Sequence, residues 1–302
     1  MQAQHPSSTS TLVAAGVAKA LISPTGASLA PADWLTWQWR LLAACGNRYR
    51  WLLGSLRSRW THGVWTALER SMLPGICLHY LLRKRFIEEQ VRSCLGRGTA
   101  QVLILGAGLD SLAARLHRYY PEVLFLELDH PATQGLKKHN LSRWVAGSNL
   151  RFLPCDLNRS GFLATTAGCS DFDPGRSTVV VAEGLTMYLE PRAVDWVFED
   201  IAHLSSESTG IVSFMERKES HPPAFRGGSA WIDRWLARVR EPFTWGLDPA
   251  LVPGFLTDHG LALSHLTAPE ELRHRYLGQS RRIPVAVGER LLVTTPIERP
   301  QS

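Results

Sequence analysis

A glycine-rich turn between two short apolar runs constrains the fold of this chain more than any other feature. The first run, Val102–Leu105, ends at Gly106, and a second glycine follows at Gly108. Apolar residues with helical spacing come next, and the second run, Val123–Leu128, ends at Asp129. Runs this short and this apolar are typical of parallel strands that are buried on both faces. The pattern therefore predicts a strand, a tight turn, a helix and a second strand.

The turn suits a ligand that contains a ribose. Glycine has no Cβ atom, so Gly106 and Gly108 let a ligand approach the backbone closely. Asp129, about twenty residues further on, can accept both hydroxyl protons of a ribose. A dinucleotide-binding turn needs a third glycine, but Ser111 stands there, and Asp110 would repel a pyrophosphate. We therefore expect S-adenosylmethionine, which has a ribose and a positive sulfonium but no phosphate, and place NAD second.

Three further apolar runs continue the alternation of strands and helices. They are Leu150–Pro154, Thr178–Ala182 and Gly210–Met215. A helical pattern that begins at Pro191 separates the last two runs. Five strands that alternate with helices predict a doubly wound, parallel α/β sheet, because right-handed crossovers place the helices on both faces.

Polar residues or glycine follow four of these strands. The four residues are Gly106, Asp129, Asp156 and Glu183. Ligands of doubly wound sheets bind beyond the carboxyl ends of the strands. Any one of these residues alone is typical of an ordinary loop, but four of them at equivalent places indicate a binding site.

Five short motifs, in this order along the chain, resemble the leucine carboxyl methyltransferase family, including its bacterial small-molecule branch. The motifs are RKRFIEE (Arg83–Glu89), LGAGLDS (Leu105–Ser111), ELDHP (Glu127–Pro131), CDL (Cys155–Leu157) and AEGLTMYL (Ala182–Leu189). The resemblance covers roughly residues 70–215, and it implies a class I S-adenosylmethionine-dependent methyltransferase. The turn of the family usually reads G-x-G-x-D-T-R. Here Asp110 is kept, while Ser111 and Leu112 replace the threonine and the arginine.

The resemblance also implies roles for residues at the methionine end of the cofactor. Arg83 would pair with the methionine carboxylate, which the arginine fork can bind through two hydrogen bonds. Gly106, Gly108 and the rest of their turn would line the methionine portion. Glu183 would close the pocket at the same end.

The resemblance implies a second set of roles at the nucleoside end. Asp129 would hold the ribose hydroxyls, and Asp156 and Leu157 would flank the adenine. A carboxylate can accept the proton of the adenine amino group, and an apolar side chain can cover a purine face. Two late segments, Leu261–Leu266 and Arg290–Thr295, fit the antiparallel strands that complete the mostly parallel, seven-stranded sheet of such enzymes.

The composition limits the other classes of function. The 302 residues carry a formal net charge of +6, with a pI near 9.3, but the basic residues are spread along the chain. No nucleic-acid-binding motif is visible, and we expect no such partner.

Five cysteines without a C-x-x-C pair argue against a disulfide framework and favour the reducing cytoplasm. The apolar segment Thr11–Ile22 is too short to span a bilayer, and no motif predicts a metal site.

We predict two parts in the chain. Residues 1–97 would form an N-terminal helical cap or lid, and residues 98–302 the cofactor-binding core with an insertion at about 218–245. Residues 31–70 hold six of the eleven tryptophans, interleaved with arginines. This segment is consistent with packing inside the cap, with a lid over a bulky apolar substrate, or with a helix on an anionic membrane surface. We favour the lid.

The favoured function is O-methylation of a bulky small-molecule acceptor at a carboxylate or a hydroxyl. An ionised carboxylate needs no general base, whereas an alcohol or a phenol needs one. No convincing base is evident, which mildly favours a carboxylate, although folding could bring Glu216, His203 or His221 near the acceptor. Two alternatives stay open. One is an NAD-dependent oxidoreductase, and the other is a non-catalytic relative that binds an interface through its Trp/Arg-rich segment.

Overall fold

Seven strands form one mixed sheet in the computed structural model, which describes residues 7–141, 149–217, 222–278 and 283–298. The strands are β1 (Gln101–Leu105), β2 (Leu124–Asp129), β3 (Leu150–Pro154), β4 (Thr178–Ala182), β5 (Thr209–Met215), β6 (Leu261–Thr267) and β7 (Glu289–Pro296). Their order across the sheet is β3-β2-β1-β4-β5-β7-β6, and β7 runs antiparallel to both of its neighbours. The prediction of a doubly wound, mostly parallel, seven-stranded α/β sheet is confirmed.

Helices cover both faces of the sheet. They are α1 (Ser8–Ile22), α2 (Pro24–Leu29), α3 (Asp33–Ala44), α4 (Asn47–Arg57), α5 (Arg59–Met72), α6 (Ile76–Gly96), α7 (Leu112–Leu116), α8 (Pro131–Leu141), α9 (Phe162–Thr166), α10 (Pro191–Ala202), α11 (Ala230–Arg238), α12 (Val252–Asp258) and α13 (Pro269–Leu277). Two short 3-10 turns occupy Thr186–Tyr188 and Pro249–Leu251. None of the helices described here combines the length and the apolar character that crossing a bilayer requires.

The central strand β1 is buried on both of its faces. Leu103 and Leu105 belong to the core cluster on the α10 side of the sheet, and Val102 and Ile104 belong to the cluster on the α6 side. Burial on both faces explains why the strand is a continuous apolar run. Because β1 pairs in parallel with both β2 and β4, the carboxyl ends of these three strands lie side by side.

The N-terminal helices pack on one another and on α6. One face of α3 is buried, because Trp34, Trp37 and Leu41 are only 2%, 6% and 1% exposed. Trp34 shares a buried cluster with side chains of α1 and α6. The division into a cap of residues 1–97 and a core of residues 98–302 remains a prediction.

The predicted insertion contains α11. This helix begins beside the end of α5, where the N–H of Ser229 donates to the carbonyl of Met72 at 2.9 Å. The large apolar side chains of α11 are not uniformly buried, since Trp231 is 69% exposed and Leu236 is 4% exposed. Five residues separate the two, which turns them to different sides of a helix. Residues 218–221 lie outside the described part of the chain.

The helix after the glycine turn begins later than the sequence predicts. The spacing predicts helix from Leu109, but α7 starts at Leu112. Gly106 and Gly108 have φ angles of +60° and +47°, which no right-handed helix allows. The Asp110 carboxylate then accepts a hydrogen bond from the N–H of Leu112 at 2.5 Å. The turn therefore finishes before the helix can start.

Candidate cofactor site

A cavity lies at the carboxyl ends of β1, β2 and β4, where the sequence predicts the binding site. Five of the predicted site residues line it, namely Arg83, Gly106, Gly108, Asp129 and Glu183. Arg83 comes from α6, while the other four follow strands of the sheet. The topology thus gathers residues that are 100 positions apart in sequence into one wall.

The other two predicted residues, Asp156 and Leu157, lie one strand further along the sheet. They follow β3, and the N–H of Cys155 donates to the carbonyl of Asp129 at 2.8 Å. The Asp156 carboxylate accepts a hydrogen bond from the N–H of Asn158 at 3.2 Å, and Leu157 is buried. Neither residue belongs to the described wall of the cavity. Their contact with adenine stays a prediction.

The glycine turn forms a cradle that has no room for side chains. The N–H of Gly106 donates to the carbonyl of Leu128 at 2.8 Å, which ties the turn to the end of β2. A Cβ atom on Gly106 would lie 2.8 Å from Cδ1 of Leu185, and one on Gly108 would lie 3.0 Å from Cβ of Ser10. Both the positive φ angles and the close neighbours therefore require glycine here.

Replacing Gly106 with alanine should destabilise the protein. A left-handed backbone costs an L residue about 1–2 kcal/mol, so we expect a loss of that size in the free energy of unfolding, measured in urea. Gly135→Ala is the matched control, because Gly135 lies inside α8 with nothing within 4 Å of an added Cβ. That control should be neutral or more stable. Equal stabilities for wild type and Gly106→Ala would contradict the account of the turn.

Asp129 is a buried carboxylate with acceptor capacity to spare. Its side chain accepts the N–H of Gly108 at Oδ2, at 2.6 Å, and the N–H of His130 at Oδ1, at 2.7 Å. Burial raises the pKa of Asp129, although these two N–H groups act in the opposite direction. Each carboxylate oxygen can accept a second hydrogen bond. The group can therefore receive two donors from a ligand in the cavity.

Arg83 is held by two carboxylates. Its Nε donates to Oε1 of Glu183 at 2.9 Å, and its Nη1 donates to both oxygens of Glu289 at 2.6 Å. The guanidinium carbon lies 5.2 Å from the ring centre of Tyr80, and Nε2 of His79 lies 2.7 Å from Oε2 of Glu289. These described contacts use Nε and Nη1 and leave the donors of Nη2 for a ligand.

Two further charges stand at the same end of the cavity. Nζ of Lys84 donates to Glu183 at 3.0 Å and also contacts Asp110. Burial alone raises the pKa of Asp110, but Lys84 outweighs it and holds that pKa at about 2. This end therefore carries both cations and anions, which suits the ammonium and carboxylate of an amino acid. No group of three or more His, Cys, Asp or Glu residues in the described ranges is arranged to hold a metal ion.

Glu289, the main partner of Arg83, was not predicted from the sequence. The two residues are 206 positions apart, so no local pattern joins them. The one local signal was an acidic residue at the start of the last strand, before the apolar Leu291–Val293. Burial raises the pKa of Glu289, but Arg83 and His79 outweigh burial and bring it to about 2.

Acid should destabilise the protein through Glu289. The ordinary pKa of this carboxyl is 4.5, and the folded value is about 2. Its contribution to stability is therefore complete above pH 4.5 and is lost as the pH falls toward 2, by at most about 3 kcal/mol. Urea unfolding at pH 6, 4.5 and 3 should show this loss in the wild type and a shallower loss in Glu289→Gln. Parallel losses in the two proteins would contradict this role.

The beginning of α1 is fixed by Glu241, which follows α11. The Glu241 carboxylate accepts hydrogen bonds from the N–H of Thr9 at 2.9 Å, the N–H of Ser8 at 3.3 Å and the hydroxyl of Ser7 at 3.3 Å. The first N–H groups of a helix have no partner within it, and a carboxylate there is favourable. Ser7 and Thr9 also line the cavity. The start of α1 and the residue that follows α11 therefore meet beside the cavity.

Aromatic and apolar side chains form another part of the wall. They include Tyr80, Met187, Tyr188 and Phe225, and burial raises the pKa of both tyrosine hydroxyls. Residues 31–70, the segment favoured as the lid, contribute nothing to the described wall. Helix α1 and Phe225 of the insertion contribute side chains to this wall, and a lid formed by residues 31–70 stays a prediction.

Comparisons with known proteins agree with this site. The leucine carboxyl methyltransferase family matches residues 2–202. A protein of Mycolicibacterium smegmatis is 34% identical over 135 residues, which are 44% of this chain and 43% of that protein. A protein of Mycobacterium avium is 32% identical over 175 residues, or 54% of this chain and 55% of that protein. Both are provisionally named S-adenosyl-L-methionine-dependent methyltransferases. The chain thus spans about half the length of these relatives.

Solved structures share the fold. A DUF574 family protein from Streptomyces avermitilis has a TM-score of 0.57 at 14% identity, over 79% of this chain and 91% of that one. A protein from Thermobifida fusca, described as a methyltransferase by provisional assignment, has a TM-score of 0.54 at 15% identity, over 86% and 94% of the two chains.

These matches decide between the predictions at the level of the family. They confirm S-adenosylmethionine as the cofactor, and they lend no support to an NAD-dependent oxidoreductase or a non-catalytic interface protein. The motifs between Arg83 and Leu189, which carried the resemblance, fall inside the matched residues 2–202. The chain belongs to the leucine carboxyl methyltransferase family.

Proposed function

We propose that this chain transfers the methyl group of S-adenosylmethionine to an oxygen of a bulky small-molecule acceptor, with a carboxylate favoured. One observation carries the proposal. The glycine cradle, the spare acceptor positions of Asp129 and the mixed charges around Arg83 all line one cavity. Such a cavity matches the ribose and the amino-acid portion of that cofactor, and the glycine turn lets the cofactor approach the main chain.

The residues present fit the cofactor on physical grounds. Gly106 and Gly108 line the cavity without side chains, so a ligand can approach their backbone closely. Asp129 can accept the two hydroxyls of a ribose, and the free donors of Arg83 can bind the methionine carboxylate, with Glu183 beside the ammonium. Asp156 and Leu157 would hold the adenine one strand further on. The carboxylates here would repel a pyrophosphate, which disfavours a dinucleotide.

The reaction requires alignment more than acid–base help. When bound, S-adenosylmethionine supplies an electrophilic methyl group on a good, neutral leaving group. The work of this chain is to hold the two reactants in line and to exclude water, and proximity of this kind can supply many orders of magnitude in rate. The fixed guanidinium of Arg83 and the closed turn around Gly106 are suited to that task.

The surroundings of the candidate bases support a carboxylate acceptor. Glu216 is paired with Arg226 and Arg290, and the exposed His203 bonds the carbonyl of its own helix. His221 lies outside the described residues. Neither Glu216 nor His203 lines the described cavity, and neither do the two arginines that pair with Glu216.

Four titratable groups on the cavity wall are also poor bases. Burial raises the pKa of the Tyr80 and Tyr188 hydroxyls, which keeps them protonated. Asp110 and Glu289 have pKa values of about 2 and are engaged by cations. An acceptor that is already ionised, such as a carboxylate, needs no such base.

A cytoplasmic location, expected from the cysteine pattern, completes the proposal.

A panel of acceptors tests the proposal. Purified protein is incubated with S-adenosylmethionine labelled in the methyl group and with carboxylic acids, phenols and alcohols matched in carbon skeleton, from small and polar to large and aromatic. We expect label in large apolar acids, released as methanol by mild alkali because the product is an ester. Transfer to small polar acids alone would overturn the bulky acceptor. Alkali-stable products alone would overturn the carboxylate.

A further inference from the structure

The helix α5 turns an apolar stripe toward solvent. Trp60, Val64 and Leu68 are 90%, 66% and 44% exposed, and they repeat every four residues. Gly63 and Ala67 lie between them on the same face and are also exposed. Across its 14 residues the helix is about 21 Å long. We call these five residues the α5 stripe.

The opposite side of α5 is the one that faces the protein. Nε1 of Trp65 donates to the hydroxyl of Ser55 on α4 at 3.1 Å, and the hydroxyl of Thr61 donates to the carbonyl of the same residue. Glu69 pairs with Lys19 of α1. The polar contacts therefore point inward and the apolar stripe outward, the reverse of an ordinary surface helix.

Helices next to α5 add more exposed tryptophan. Trp51 on α4 is 72% exposed, and Trp231 on α11 is 69% exposed. The two helices adjoin α5 in space, since α4 packs on it and Ser229 bonds to its last residue, Met72. Soluble monomers rarely expose large apolar patches, and here three exposed tryptophans stand on neighbouring helices.

The sequence around the stripe is rich in positive charge. Between Cys45 and Met72 the sequence has five arginines and one acidic residue, Glu69. Glu69 forms an ion pair with Lys19. Arg50 and Arg70 are exposed. Tryptophan and arginine together suit the headgroup region of an anionic bilayer, where each basic residue near the surface contributes about 1 kcal/mol.

We infer that the α5 stripe lies in the headgroup region of an anionic membrane and holds the protein at that surface. A second copy of the chain is less suited to cover the stripe, because the exposed Arg50 and Arg70 on α4 and α5 would add repulsion between the two copies. A stable dimer also buries about 800 Å² per partner, more than one helical stripe of this length presents. The inference does not depend on which acceptor is methylated.

Vesicle sedimentation tests the inference. The full chain is spun with vesicles of phosphatidylcholine alone and of equal parts phosphatidylcholine and phosphatidylglycerol. We expect binding to the anionic vesicles, weakened by salt, and a fall of roughly tenfold or more in Trp60→Ser/Val64→Ser/Leu68→Ser, since buried apolar area drives such binding. The matched control is Tyr119→Ser/Leu251→Ser, which removes side chains that are 69% and 61% exposed elsewhere. It should bind like the wild type.

The remaining outcomes overturn the inference. Each protein is first checked for fold by circular dichroism and for affinity to S-adenosylhomocysteine, which the stripe variant should retain. No binding by the wild type, equal binding to both vesicle types, or equal loss in the control would each contradict a membrane-facing stripe. A dimer by light scattering that the stripe variant alone dissociates would assign the stripe to a second copy instead.

Discussion

Replacing Asp129 with alanine is expected to weaken the binding of S-adenosylhomocysteine about a hundredfold or more. A hydrogen bond to a charged group is worth about 1.5–3 kcal/mol, and this carboxylate has room for both hydroxyls of a ribose. The same change leaves the N–H groups of Gly108 and His130 without their acceptor. Isothermal titration of the two proteins measures the loss.

A surface aspartate provides the control for this substitution. Asp171 is paired with Arg151 at the surface, and its side chain is 43% exposed, so Asp171→Ala should bind the ligand as the wild type does. Circular dichroism shows whether Asp129→Ala remains folded. A folded Asp129→Ala protein with wild-type affinity would remove the ribose role from Asp129.

Replacing Arg83 with methionine is expected to cost about 3–5 kcal/mol of unfolding free energy, because it leaves buried charges unpaired. Glu289 would lose the partner that occupies both of its oxygens, and Glu183 would keep only Lys84. The binding of S-adenosylhomocysteine should also be lost, since the donors for the methionine carboxylate are gone. Urea unfolding and titration measure the two effects.

A double variant separates these two effects. Arg83→Met/Glu289→Gln removes the unpaired charge, so it should regain much of the stability but none of the affinity. Arg92→Met is the matched control on the same helix, because its partner Glu88 keeps the buried Arg115. Recovery of affinity in the double variant would show that Arg83 only stabilises the fold.

The fold could be predicted from the sequence because the patterns that indicate its strands and helices are local. Each of the five strands β1 to β5 is a short, mostly apolar run that ends at or just before glycine, proline or a charged residue, and the glycine turn at Gly106 marks where the first strand stops. The sequence predicts the start of α7 a few residues too early. Two glycines with positive φ angles, and the hydrogen bond from the N–H of Leu112 to the Asp110 carboxylate, prolong the turn. That detail depends on backbone angles, which apolar spacing does not encode.

Part of the candidate site could be predicted from the sequence. Residues at strand ends were found because topology alone brings them together, and Arg83 was found through the resemblance. Glu289 and Glu241 were missed, since each meets its partner across more than 200 positions of sequence. Long-range pairing of buried charges is decided by the packed fold, and no local pattern reports it.

The most direct test of the account is isothermal titration of the purified protein with S-adenosylhomocysteine, with NAD titrated in parallel. The account predicts micromolar binding of S-adenosylhomocysteine and no binding of NAD, because the cavity offers a ribose acceptor and a zwitterion site but repels a pyrophosphate. Binding of NAD alone would contradict the assignment of the glycine turn. Binding of neither ligand would contradict the proposed function of the cavity.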